Sequence, residues 1–151
     1  MAENLSAESG DLIHFFEEDG GQLPPLNEQQ SLRPWIASVC ESEHAVLEEL
    51  NYIFCGDAHL LEINRQYLQH DYYTDIITFP AAEAPRVAGD IFISTERVAE
   101  NARTYACTYE EELRRVIIHG ILHLCGQGDK TEEEAQQMRE KENQALQKVN
   151  W

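Results

Sequence analysis

Short apolar runs bounded by turn residues recur along the chain, and they predict β-strands. Isoleucine and phenylalanine dominate these runs, which suits side chains that pack on a pleated surface. Gly56 ends the second run and Pro80 closes the third, because neither residue favours the interior of a strand. The predicted strands are residues 12–16, 50–55, 76–79 and 89–94.

Between and after these runs, apolar residues recur every three to four positions, which is the spacing of one helix face. Asn27, Asp57 and Thr95 are the predicted N-caps of the first three helices. Pro34 lies inside the first pattern, so that helix is expected to begin near Ser31 or to bend there. The later helices are residues 109–125, the longest pattern, and residues 131–146, which open with a Thr-x-x-Glu capping box.

The order of these elements predicts the fold class. Strands and helices are mixed without strict alternation, which predicts an α+β fold with a small mixed sheet of about four strands and about five helices. No repeat or low-complexity linker divides the sequence, and its length suits one domain. We therefore expect a single domain over residues 1–151.

The charge balance narrows the function classes. The chain has 11 basic and 28 acidic residues, which give a formal net charge of −17. A chain this acidic is not a polyanion binder that works through bulk positive charge. Contact with nucleic acid would have to use a local basic patch, a bound metal ion or a partner protein.

Composition also predicts the compartment. No apolar run of 18 residues is present, so we expect no transmembrane helix and no membrane partner. The N-terminal residues lack a basic segment followed by an apolar stretch, so no secretory signal is expected. Four scattered cysteines without CxxC spacing favour reduced thiols, with two disulfides as the less favoured alternative. These features predict a cytoplasmic protein.

Metal-binding chemistry is predicted by the segment HGILHLCGQGD, which begins at His119. His119 and His123 are four residues apart on a predicted helix, so one ion can bind both imidazoles. Glycines then break the helix, and Asp129 follows as a candidate third ligand. Such a ligand set leaves a coordination position for water, as catalysis requires. Gly120 stands where zinc proteases of the HExxH type carry their glutamate base, so peptide hydrolysis by that mechanism is disfavoured.

The same segment resembles the signature HGxLHLxGYDH of the YbeY family of metal-dependent endoribonucleases. Residues 63–79 resemble the family block LNxxYRxxDxPTDVLSF, and residues 89–94 resemble its GDIxIS strand. The three blocks occur in family order within residues 50–145. The family's third ligand is a histidine, and Asp129 stands at that position here. Because aspartate oxygen also binds such ions, the resemblance implies a variant of the same site.

The resemblance implies an endoribonuclease that cleaves single-stranded RNA during ribosomal RNA maturation. The implied roles are processing at the 3′ end of small-subunit rRNA and ribosome quality control. One Zn²⁺ ion per chain, or another divalent metal, would be held by His119, His123 and Asp129, and both histidines would be catalytic. The implied partners are rRNA and the small ribosomal subunit, through a ribosomal protein and the Era GTPase.

Besides Asp129, and Gln127 and Gly128 at the family's Tyr-Asp, two positions within residues 63–79 change the kind of side chain that the family carries. Leu68 stands at the family's arginine, and Tyr73 stands at its proline. Three other arginines are candidates for phosphate contact, although solvated helix arginines are the more common case. Asp75 either orients a ligand imidazole or caps a turn. The three candidate arginines are Arg65, Arg114 and Arg115.

Three other functions remain open from the residues alone. The first is a metallohydrolase that acts on another substrate class. The second is a non-haem iron oxygenase, because two histidines and a carboxylate are also its ligand set. The third is a ribosome-assembly protein with a structural metal site, since an acidic surface suits a basic ribosomal protein.

Overall fold

The computed structural model describes residues 12–149, and within them it contains four strands and five helices. The first eleven residues, where no secretory signal is expected, and the last two residues lie outside the described part. The α+β prediction is confirmed. The elements are β1 (Ile13–Glu17), α1 (Leu26–Ser42), β2 (Val46–Cys55), α2 (Asp57–Leu68), β3 (Ile76–Pro80), β4 (Arg86–Ser94), α3 (Thr95–Thr104), α4 (Tyr109–Leu124) and α5 (Glu132–Gln147).

The sheet is mixed, as predicted. Its strand order is β1-β2-β4-β3. The strands β1, β2 and β4 run parallel, and β3 pairs antiparallel with β4. Tyr52 on β2 pairs with Phe15 on one side and Ile91 on the other, so β2 and β4 form the centre of the sheet.

The larger core lies on one face of the sheet, where α4 packs against the sheet and three other helices. The helix contacts α1, α3, α5, β3 and β4, and most of its residues are buried. The hydroxyl of Tyr52, on strand β2, donates a hydrogen bond to the backbone carbonyl of Ile117 on α4 over 3.0 Å. A smaller core joins α2 to the opposite face through Leu60, Ile63 and Ile77. The histidine-bearing helix is therefore the central helix of the fold.

The first helix differs from its prediction. It begins at Leu26 after Pro25, so Asn27 does not cap it and it does not start at Ser31. Pro34 is accommodated inside the helix, because buried side chains before and after it hold the helix against the core. With 17 residues it is one residue longer than α4, although the apolar pattern of α4 is the longer of the two in the sequence. Tertiary burial here outweighs the local cost of proline.

Two further predicted caps are displaced by one residue. Gly56 and Ser94 are the N-caps of α2 and α3, and the predicted residues Asp57 and Thr95 are the first residues of those helices. The Ser94 hydroxyl accepts a hydrogen bond from the backbone N–H of Arg97 over 3.1 Å. The capping box at Thr131 is present as predicted.

Strands β2 and β4 begin earlier than the apolar pattern indicates. Their first residues, Val46 and Arg86, pair with each other, and Arg86 forms an ion pair with Glu48. Polar residues of this kind hide the start of a strand from a hydrophobicity pattern. No helix within residues 12–149 is both long and apolar enough to cross a membrane. All four cysteines are free thiols.

Candidate metal centre

The two histidines of α4 have different environments. Both lie on the unbroken helix, so the four-residue spacing puts them on one side of it. His119 is half-buried, with 29% of its side chain exposed, whereas His123 is exposed near the C-terminal end of the helix. The inner part of the site is therefore built around His119.

The turn after α4 returns the chain towards His119. Cys125 caps the helix, and Gly126 adopts a φ angle of 104°, which glycine tolerates and most residues do not. The backbone N–H of Gln127 donates to the carbonyl of Leu122 over 3.0 Å, which fixes the reversal. This turn places Oδ2 of Asp129 3.3 Å from Nε2 of His119.

The other ring nitrogen of His119 contacts Glu142 on α5. Its Nδ1 lies 2.8 Å from Oε2 of Glu142, and Arg115 donates to the second carboxylate oxygen over 2.9 Å. Glu142 is buried, with 5% of its surface exposed. Sequence analysis missed this residue. The available signal was its position on the same helix face as the buried Met138, where a carboxylate needs a partner.

These contacts fix how His119 presents its nitrogens. The Glu142 carboxylate can only accept, so Nδ1 carries the hydrogen and Nε2 of the neutral ring has a lone pair. Nε2 lies 3.3 Å from Oδ2 of Asp129, and two acceptor atoms at this distance repel unless a proton or a cation is shared between them. Two ligand atoms on a tetrahedral zinc ion are also about 3.3 Å apart. The donor pair therefore fits a bound metal ion.

The carboxylates around the ring change its protonation. The hydrogen bond with Glu142 raises the pKa of His119 against the effect of burial, and Asp129 and Asp75 raise it further. Burial would raise the pKa of Glu142, but its bonds with His119 and Arg115 outweigh burial and lower it. Burial raises the pKa of Asp75. The site thus attracts positive charge to His119, whether a proton or a metal ion.

The predicted ligand set is only partly assembled. Asp129 and His119 are in contact, but no described contact joins His123 to either of them. Within residues 12–149, no group of three or more histidine, cysteine, aspartate or glutamate side chains is close enough to hold an ion. His123 is exposed and one helical turn away, so its side chain has rotamer freedom that the packed His119 lacks.

The candidate arginines are all engaged with side chains of this chain. Arg65 is paired with Asp71, and Arg114 lies 3.7 Å from Glu28. Arg115 supports Glu142, as described above. None of the three is a free cation that faces the metal centre.

Asp75 makes no direct contact with the imidazole among the described hydrogen bonds, and its carboxylate accepts from backbone N–H groups at the start of β3, in keeping with the turn-cap alternative. Asn101 donates to its carboxylate over 3.4 Å, whereas the carboxylates in contact with the ring nitrogens of His119 are Glu142 at Nδ1 and Asp129 at Nε2. Asp75 acts on His119 through its charge. A polar cavity of about 170 Å³ opens beside His119, and its lining includes Asp75, Asn101, Tyr105, Arg115, Arg139 and Glu142.

Gly120 sets the distance between α4 and the sheet. A β-carbon at this position would lie 2.8 Å from Cδ1 of Ile76 and 3.2 Å from Cγ2 of Ile91. The close approach holds His119, the preceding residue, beside β3 and β4. It also leaves no room for the glutamate that HExxH proteases carry here.

Gly120→Val is expected to lower the free energy of unfolding by about 2–3 kcal/mol through overpacking. Gly120→Ala is the matched control, because the better helix propensity of alanine, about 1 kcal/mol, offsets the smaller clash with a flexible isoleucine end. Urea unfolding of the metal-free chains measures both. A valine variant as stable as the wild type would show that the small size of Gly120 does not set the distance between α4 and the sheet.

The site thus consists of a central helix that carries two histidines one turn apart and of a turn that returns a carboxylate to the first of them. The family model of endoribonuclease YbeY matches residues 18–150. The chain belongs to the YbeY family.

Individual relatives agree with this assignment. Endoribonuclease YbeY of Bacteroides thetaiotaomicron is 48% identical over 131 residues, which cover 87% of this chain and 95% of the relative. The enzyme of the same name from Parabacteroides distasonis is 50% identical over 134 residues, or 89% and 93% of the two chains. The solution structure of TM1509 from Thermotoga maritima superposes with a TM-score of 0.65 at 30% identity, and the match covers 89% of this chain and 87% of that one. The resemblance noted in the sequence is confirmed.

Proposed function

We propose that this chain is a metal-dependent endoribonuclease that cleaves single-stranded RNA in ribosomal RNA maturation. The observation that carries the proposal is His119, with Asp129 at Nε2 and the buried Glu142 at Nδ1. Relatives with about half of their residues identical are named endoribonucleases. Family membership therefore favours ribonuclease activity over another hydrolase or an oxygenase.

The proposed ligands are His119, His123 and Asp129, for one Zn²⁺ ion per chain. Imidazole nitrogen suits zinc, and the carboxylate also accepts harder divalent ions, so the donor set leaves other metals possible. When bound, the ion supplies Lewis acidity towards a phosphate oxygen and lowers the pKa of bound water. Glu142 holds the His119 ring in the orientation that presents Nε2, and Arg115 holds Glu142.

The proposed setting is the cytoplasm, where the substrate is rRNA of the small ribosomal subunit, cut at its 3′ end, and where the enzyme also serves ribosome quality control. A formal net charge of −17 favours delivery by basic partners over capture of RNA by bulk charge. A ribosomal protein of the small subunit and the Era GTPase are the proposed partners, on the strength of the family resemblance.

The test is cleavage of a labelled single-stranded RNA by the chain before and after metal reconstitution. The chain is stripped with a chelator and reloaded with one equivalent of zinc, manganese or magnesium, and Asp129→Ala is purified in the same way. We expect cleavage only after reloading, much less by the variant, and none of duplex RNA. The metal that restores the highest rate identifies the preferred ion.

Two results would contradict the proposal. Equal cleavage by both chains, or cleavage that survives chelation, would identify a contaminating nuclease. A chain that binds zinc but leaves RNA uncut, even with small ribosomal subunits added, would favour an assembly protein with a structural metal site.

A further inference from the structure

Three exposed tyrosines lie along or beside helix α3: Tyr105 lines the cavity beside His119, Tyr73 contacts Arg97, and Tyr72 precedes Tyr73 in the chain. Tyr72, Tyr73 and Tyr105 are 57%, 55% and 66% exposed. Large aromatic side chains at this exposure place apolar ring faces in water, and a group of them marks a surface that binds something. We call these three residues the tyrosine edge.

Helix α3 connects the two ends of the tyrosine edge. Arg97 and Asn101 on α3 and its C-cap residue Tyr105 follow each other at four-residue spacing, so they lie along one side of the helix. Arg97 lies over the ring of Tyr73, with its Cζ 5.2 Å from the ring centroid. Eight residues of helix span about 12 Å, which is therefore the scale of the distance from the Tyr73 end to the Tyr105 end.

The inner end of the tyrosine edge reaches the metal centre. Tyr105 lines the same 170 Å³ cavity as His119 and Asp75. Asn101, which lies between Arg97 and Tyr105 in the chain, donates a hydrogen bond to the Asp75 carboxylate. A ligand strand lying along α3 would therefore pass from the exposed rings to the side of His119.

The outer rings are held in place before any ligand binds. Asp57 binds the guanidinium of Arg97 over 2.8 Å, so one face of the Tyr73 ring is backed by a fixed cation. The rings of Tyr72 and His70 stack with centroids 5.1 Å apart and an angle of 20°. Asn64, which is buried, donates to the backbone carbonyl of Tyr72 over 2.9 Å. Rings ordered in this way lose little entropy when a flat ligand stacks on them.

Charge cannot be the main source of affinity at this surface. The chain carries a formal net charge of −17, and Arg65, Arg97 and Arg115 are each paired with an acidic residue. Among the described ion pairs, Arg139 at the His119 cavity is the nearby arginine without an acidic partner. Phosphate binding by neutralisation of backbone charge is correspondingly weak. Stacking of bases on aromatic rings contributes affinity without net positive charge and with little sequence preference.

We propose that the tyrosine edge is a stacking surface for unpaired nucleobases of the RNA substrate, which guides the strand to the metal centre. The inference rests on the proposed ribonuclease function and names the part of the substrate that is bound. Bases in a duplex are already stacked on their neighbours, so they cannot use the rings. The tyrosine edge thus accounts for a single-stranded substrate in an acidic protein.

The test compares the double variant Tyr72→Leu/Tyr73→Leu with Tyr72→Phe/Tyr73→Phe, each as the zinc-loaded chain. Stacking is read from the quenching of 2-aminopurine in a single-stranded RNA, followed by stopped-flow mixing before cleavage proceeds. Steady-state cleavage of the same RNA gives kcat and KM. Phe16→Leu, on β1 at the other edge of the sheet, controls for loss of an exposed ring elsewhere.

We expect the leucine pair to lose the quenching and to raise KM at least about tenfold with kcat unchanged. The reason is that base stacking stabilises the bound substrate and the transition state equally. The phenylalanine pair and Phe16→Leu are expected to match the wild type. Wild-type affinity and quenching in the leucine pair would overturn the proposal.

The readouts also separate this proposal from the proposed function. Cleavage by the wild type without any quenching would overturn the stacking surface and leave the nuclease assignment in place. Quenching without cleavage would support the stacking surface and count against the nuclease. The absence of both would overturn the two together.

Discussion

His123→Ala is expected to reduce metal-dependent RNA cleavage at least about a hundredfold, because it removes a proposed ligand of the ion. The same change is expected to leave the free energy of unfolding of the metal-free chain within about 0.5 kcal/mol of the wild type. His123 is exposed, makes no described contact with His119 or Asp129, and alanine is the best helix former. Cleavage rates and urea midpoints, measured on the same preparations, test both parts.

His119→Ala is the informative comparison. It removes the same type of ligand but also leaves the buried Glu142 without its imidazole partner, so we expect it to lose activity and stability together. Comparison of the two variants therefore separates the loss of a metal ligand, which both share, from the loss of the contact with Glu142, which only His119→Ala has. Wild-type cleavage by His123→Ala would exclude His123 from the site and leave His119 and Asp129 as the only ligands that α4 and its turn supply.

Glu142→Ala is expected to have the largest combined effect on stability and metal binding. The carboxylate bridges Nδ1 of His119 and Nη1 of Arg115 inside the core. Its loss leaves the guanidinium partly buried with only the Asn143 side chain as a described partner, at a cost of about 2–3 kcal/mol. Without the bond to Nδ1 the ring of His119 is free to turn, and zinc affinity is expected to fall ten- to a hundredfold.

Calorimetric zinc titration and urea unfolding of the metal-free chain measure the two effects of Glu142→Ala separately. Glu142→Gln is the matched control: its side-chain oxygen can accept one of the two hydrogen bonds, so most of the stability should return while part of the affinity stays lost. Unchanged zinc affinity in Glu142→Ala would mean that packing alone orients His119.

The sequence predicts those parts of the fold that depend on short-range pattern. The four strands and the histidine-bearing helix follow from apolar runs and helical spacing, and the capping box at Thr131 follows from two residues. The start of α1 was missed, because burial of its apolar face outweighs the local effect of Pro34. The first four residues of β2 were missed because Glu48 and Glu49 separate Val46 and Leu47 from the apolar run that follows.

The candidate site divides in the same way. His119, His123 and Asp129 lie within eleven residues of each other, so their spacing along one helix and its turn could be read directly. Glu142 lies on another helix, and its contact with His119 depends on how α5 packs against α4. The spacing of residues within one segment cannot supply that packing, and the residue that fixes the imidazole was therefore not predicted.

The position of Glu142 on α5 has a consequence for when the site forms. A ribosome synthesises α4 and its histidines before α5, so a growing chain has the helix of the metal centre without the carboxylate that orients His119. The site is complete only after the last described helix has left the ribosome and packed. During synthesis the imidazole of His119 therefore exists before the carboxylate that orients it, and the order of the chain makes assembly of this pair a late step of folding.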